Sequence, residues 1–100
     1  MEYHKLVRDR IPERIEKKNE RVVFHIATEE EYTQKLKEKL SEEVGEYLSE
    51  ASPEELADIL EVVYALGELH DTSPRMLEEL RIRKVTERGG FTKKIILDEA

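Results

Sequence analysis

Apolar residues recur at helical spacing through the middle of the chain and lose that regularity toward both ends. At about 100° per residue, Leu36, Leu40, Val44 and Tyr47 fall on one stripe, which predicts a helix over residues 29–49. Thr28 stands just before it as an N-cap, with Glu31 at the third helical position of a capping box. Ser52-Pro53-Glu54-Glu55 repeats the start signal with proline at the first helical position, and predicts a second helix over 53–70. Its apolar members Leu56, Ile59, Leu60, Val62, Val63, Leu66 and Leu69 span an arc wider than one small neighbour covers, which calls for a bundle completed by another subunit. Gly67 lies inside that arc, where it permits close backbone approach. A third helix starts after Ser73-Pro74, carries Leu77, Leu80, Ile82 and Val85, and ends near Gly89-Gly90.

The ends read differently. Pro12 opens a short helix over 12–18, since proline is tolerated in a first turn. Residues 21–27 and 91–97 are rich in strand formers and are candidates for a small terminal sheet, although neither run alternates cleanly. The fold class predicted is mainly α: an antiparallel helical hairpin plus a third helix, one domain over residues 1–100, in an oligomeric helical bundle with short terminal β-strands as an optional addition.

Composition narrows the partners. The 100 residues are 38% apolar and 41% charged, with a net charge of −7 and no cysteine. Disulfides, thiolate ligands and cysteine nucleophiles are thereby excluded. The charge is uneven: residues 29–61 hold 12 acids against three bases, Lys35, Lys37 and Lys39. An acidic balance argues against a nucleic-acid coat, whose main energetic term is phosphate neutralisation by lysine and arginine. No apolar run approaches the roughly 20 residues that span a bilayer, and the first six residues lack the apolar stretch of a secretory signal. The expected setting is the cytoplasm, without nucleic acid or membrane.

The candidate chemistry lies in Glu43-x-x-Glu46 on the first long helix and Glu55-x-x-Asp58 at the start of the second. Glu43 falls within the apolar stripe and Glu46 at its edge, while Glu42 points farther away. A short connection around Ala51-Ser52 brings the four groups toward one end of an antiparallel hairpin. Four adjacent carboxylates repel one another unless a cation compensates them, and an all-oxygen donor set suits Mg²⁺, with Mn²⁺ as a substitute. Such an ion orients phosphate and activates water. Simpler roles stand beside these. Glu55 is already the third residue of a capping box, and Asp58 lies outside the apolar arc. Lys84 and Arg88, four apart, can steady a phosphate or simply complement a helix C-terminus; Arg8 and Lys5 offer another phosphate contact or a solvated segment. His4, His25 and His70 are too scattered for a nucleophile system, and His70 falls on the apolar side as a buried histidine.

At these carboxylates the chain resembles the all-alpha MazG-like nucleoside triphosphate pyrophosphohydrolase superfamily, whose relatives include phosphoribosyl-ATP pyrophosphohydrolase. Glu42-Glu43-Val44-Gly45-Glu46 and Glu55-Leu56-Ala57-Asp58 carry the likeness. Lys5-Leu6-Val7-Arg8-Asp9-Arg10-Ile11-Pro12 and Arg88-Gly89-Gly90-Phe91 are similar to a short-chain subgroup. The resemblance implies Mg²⁺ ligation and catalysis by Glu43, Glu46, Glu55 and Asp58, and cleavage of a nucleotide between its α and β phosphates. The products it implies are a monophosphate and pyrophosphate. It also implies phosphate contacts from Lys84 and Arg88, with Arg8 as a lesser addition, and a homo-dimer or homo-tetramer of helical hairpins. The chain departs from many relatives in having only eight residues between Glu46 and Glu55, which makes the hairpin tight. Two other functions are open on the same residues: hydrolysis of phosphoribosyl-ATP, and a noncatalytic helical assembly whose acids serve only solubility and capping.

Overall fold

The structure, a computed structural model, describes residues 4–100. Four helices follow in order: α1 (Ile11–Lys17), α2 (Glu29–Ser49), α3 (Pro53–Leu69) and α4 (Pro74–Arg88). The chain is all-helical among the described residues, and α2 and α3 pack together as a hairpin. Each long helix starts where its cap requires. Thr28 Oγ1 accepts from the Glu31 amide at 3.2 Å, Ser52 Oγ from the Glu55 amide at 3.3 Å, and Ser73 Oγ from the Met76 amide at 3.2 Å. These contacts satisfy donors that have no carbonyl partner in the first helical turn. At the other end, α4 stops at Gly89, whose φ of 82° lies in the left-handed region.

The hairpin buries little. Leu36 at 2% exposure and Val62 at 8% are its two buried apolar side chains, flanked by half-buried Leu40, Ile59, Val63 and Leu66. Leu56 and Leu60 on the outer side of α3, and Met76, Leu80, Ile82 and Val85 on α4, remain exposed. Within α4, Leu77 alone is half-buried. The chain is correspondingly open. Its radius of gyration is 17.6 Å, against about 13 Å for a compact domain of this length. No helix among the described residues is long and apolar enough to cross a membrane.

Leu77 reaches the hairpin because position 67 is glycine. A Cβ there would lie 2.9 Å from Leu77 Cδ1 and 2.9 Å from the Thr72 carbonyl oxygen. The Thr72 amide also donates to the Gly67 carbonyl at 2.9 Å, which turns the chain from α3 toward α4. Gly67→Ala is therefore expected to destabilise the protein by about 1–3 kcal/mol, even though alanine is the better helix former by up to about 1 kcal/mol. Chemical denaturation gives the sign, and a stabilised variant would show that α3 and α4 do not approach there.

The terminal sheet does not form. No residue in 21–27 or 91–97 is in a strand, and Val23, Phe24, Ile26, Phe91, Ile95 and Ile96 are exposed. Two strands need a packed face to persist. With only Leu77 of α4 partly covered, that helix does not fold its C-terminal end back over the hairpin. The second long helix also ends at Leu69, one residue earlier than expected, with His70 as its C-cap. His70 is exposed rather than buried, because the chain leaves the helix at that residue.

Candidate metal centre

The second half of α2 and the first turns of α3 meet where both helices are acidic. Oxygens of Glu43, Glu55 and Asp58 lie within 4.8 Å of one another, as do oxygens of Glu42, Glu43 and Glu46. Glu43 belongs to both groups and joins them. Its residue exposure is 7%, so it is as buried as Val62, whereas Glu42, Glu55 and Asp58 are half-buried and Glu46 is exposed. The helical stripe explains this depth: Glu43 occupies a core position between Leu40 and Tyr47.

Among the described residues, three cations touch these acids. Lys39 Nζ sits 3.3 Å from Glu42 Oε2 and 3.4 Å from Glu43 Oε1. Lys5 Nζ donates to Glu42 Oε1 at 3.0 Å, and Arg8 Nη2 donates to Asp58 Oδ1 at 2.7 Å. The negative charge is not fully met, since Glu43 Oε2 and Glu55 Oε2 are buried without a hydrogen-bond partner. Burial holds the Glu43 carboxyl above the ordinary glutamate range, and its hydrogen bond and proximity to Glu46 push it the same way against the pull of Lys39. Glu42 moves in the opposite direction, held down chiefly by the Lys5 hydrogen bond and further by Lys39, against a desolvation effect. The two neighbouring acids thus differ because one is paired and the other is buried.

A buried carboxylate oxygen without a donor is costly and calls for a positive partner. The donor set here is entirely oxygen, which fits a hard divalent cation rather than zinc or copper. Among the sequence-derived candidates, Glu43, Glu55 and Asp58 come together, and Glu46 joins through Glu43. Arg8 reaches the same place by way of Asp58. Lys84 and Arg88 do not: both are exposed on α4, and neither forms an ion pair or hydrogen bond among the described residues.

Two participants were not picked out by the helical stripe. Glu42 points away on the wheel, yet its flexible side chain turns back to meet Lys39 and Lys5. Lys39 was legible only as a base three and four residues ahead of Glu42 and Glu43, the spacing that lets helical side chains meet. His25 pairs instead with Glu31, its Nε2 2.8 Å from Glu31 Oε1. The chain matches no protein-family model, no curated protein and no solved structure.

Proposed function

We propose that this protein is a Mg²⁺-dependent nucleotide pyrophosphohydrolase of the MazG-like kind, cleaving a nucleoside triphosphate or related nucleotide between its α and β phosphates. The observation that carries this is Glu43: a buried acid at the junction of two carboxylate groups, with one oxygen lacking any protein donor. Glu43, Glu46, Glu55 and Asp58 would hold Mg²⁺, with Mn²⁺ as a substitute. When bound, the ion supplies positive charge for the phosphates and makes water a better nucleophile.

The protein's own side chains divide the remaining work. Water adds to phosphorus, the phosphoanhydride bond breaks, and pyrophosphate leaves with the electron pair of the bridging oxygen. A carboxylate of the cluster accepts the proton of the attacking water. Lys39, 3.4 Å from Glu43 Oε1, limits the repulsion among the acids. Phosphate contacts from Lys84 and Arg88 require their helix to come from a second copy of the chain or to swing toward the hairpin.

A second copy also answers the open shape. The chain exposes 9360 Å², where a compact monomer of 11.8 kDa exposes roughly 5900 Å². The excess, roughly 3500 Å², exceeds the roughly 800 Å² per partner of a standard interface. Leu56 and Leu60 on α3, with Leu80 and Ile82 on α4, provide apolar faces for a self-complementary homo-dimer or homo-tetramer.

One experiment tests the activity and separates it from its rivals. Purified protein, sized by light scattering, is incubated with Mg²⁺ and a panel of common triphosphates, modified triphosphates and phosphoribosyl-ATP. Matched monophosphate and pyrophosphate are expected, without orthophosphate. Turnover confined to phosphoribosyl-ATP would assign the narrower enzyme. A folded oligomer inactive across the panel with both Mg²⁺ and Mn²⁺ would leave the noncatalytic assembly.

A further inference from the structure

We infer that Arg8 is a shared cation: it neutralises Asp58 while the centre holds no metal and transfers to a phosphate oxygen of the ligand once a divalent ion takes Asp58. This rests on the metal-dependent reading above and adds a coupling between the two ligands that the reading does not require.

The three cations around the carboxylates are not equivalent. Lys39 has 17% of its side chain exposed and bridges two acids on its own helix. It is therefore a fixed part of α2. Lys5 holds Glu42, which lies outside the group formed by Glu43, Glu55 and Asp58. Arg8 holds Asp58 in that second group, whose Glu43 is touched by Lys39 from α2 and where the unpartnered Glu55 Oε2 also lies. Its guanidinium supplies positive charge to Asp58, an acid that a metal ion at this group would also use, so the two compete for Asp58.

The exchange costs little on the arginine side. Arg8 is 58% and Asp58 39% exposed at the side chain, and an ion pair this open contributes no more than about a five-fold bias to an equilibrium. A divalent ion shared by several carboxylates outbids a single exposed guanidinium. Arg8 stays near after it lets go, because its segment is tied to α2 on the other side. Lys35 Nζ donates to the His4 carbonyl at 2.8 Å, and Lys5 pairs with Glu42. The freed guanidinium presents a planar fork of donors beside the metal, a geometry matched to phosphate oxygens. Metal binding therefore converts Arg8 from a counter-ion of the protein into one of the ligand.

Calorimetric titration of Mn²⁺ alone into metal-free protein, followed by inorganic pyrophosphate in saturating Mn²⁺, tests the exchange. Arg8→Gln is expected to bind Mn²⁺ about three-fold more tightly than wild type, because a competitor is gone. The same variant should bind pyrophosphate about ten-fold more weakly, because a charge-assisted donor is gone. Arg8→Lys should fall between the two on both measurements. Arg10→Gln removes the same charge from a side chain that pairs with Glu13, and should change neither. Opposite signs in Arg8→Gln alone support the exchange. Equal Mn²⁺ affinity in wild type and Arg8→Gln, equal pyrophosphate affinity, or matching shifts in Arg10→Gln would overturn it while leaving the metal centre intact. Absence of Mn²⁺ binding in every variant would overturn both the exchange and the metal-dependent function.

Discussion

Replacing Glu43 with glutamine is expected to lower Mg²⁺-dependent pyrophosphate release by at least about 100-fold while making the metal-free protein more resistant to heat. The activity estimate follows from position. Loss of a side chain that merely orients a metal ligand typically costs about 10- to 100-fold, and Glu43 would be a ligand common to both carboxylate groups. The stability estimate follows from burial. A charged carboxylate with 7% exposure and a partnerless oxygen is held against its solvation preference. Glutamine keeps the shape and removes the charge. Lys39 does not become an orphan, because Glu42 Oε2 remains 3.3 Å away. Thermal melting and a pyrophosphate-release assay on the same preparation decide the matter. Lost turnover with a lowered melting temperature would make Glu43 a structural residue, and unchanged turnover would remove it from the centre.

Magnesium should also reverse the pH dependence of stability. In metal-free protein, Glu43 titrates above the ordinary glutamate value of 4.5 because of its burial and its contact with Glu46. The folded state then binds that proton more tightly than the unfolded state, so stability falls as pH rises from 4.5 through the folded value. Acidifying from pH 8 toward 5 is expected to raise the melting temperature. Below 4.5 the trend turns over, because Glu42 titrates low through its Lys5 hydrogen bond. Its contribution is present above 4.5 and disappears as pH falls through the folded value.

Saturating Mg²⁺ is expected to invert the upper limb. The ion would bind the deprotonated acids, and at 100 times its dissociation constant would add about 2.7 kcal/mol to the folded state. That gain shrinks as the carboxylates protonate. The other groups at the centre are Lys39, Glu42 and Glu46 from α2 and Glu55 and Asp58 from α3, and general relief of a net charge of −7 adds to the metal-free trend. The wild-type curve minus the Glu43→Gln curve isolates the buried group. Parallel curves with and without Mg²⁺ would count against the metal centre.

Much of the fold was legible because its signals are local. A serine or threonine three residues ahead of an orphan amide marks a helix start regardless of what the rest of the chain does. Thr28, Ser52 and Ser73 all cap where that logic places them. The three-residue break between α2 and α3 leaves no geometry but a hairpin, and Glu43 within an apolar stripe announces a buried charge before any coordinates. Gly67 belongs with these, since a glycine inside an apolar arc signals close approach.

What required tertiary structure was every feature that depends on two distant segments meeting. Wheel angle put Asp58 outside the core beside Glu55, three residues back on the same helix, yet the approach of α2 brings both to Glu43. Glu42 pointed away until Lys5 and Lys39 drew it in. The strand-forming runs at 21–27 and 91–97 needed each other, and a helix that touches the hairpin chiefly through Leu77 never brings them together. Periodicity thus determined the helices, their caps and the acid at their centre, because those follow from spacing along one chain segment. Packing alone decided which charges share that centre, because pairing across 50 residues between Arg8 and Asp58 is a property of the folded hairpin and not of either segment.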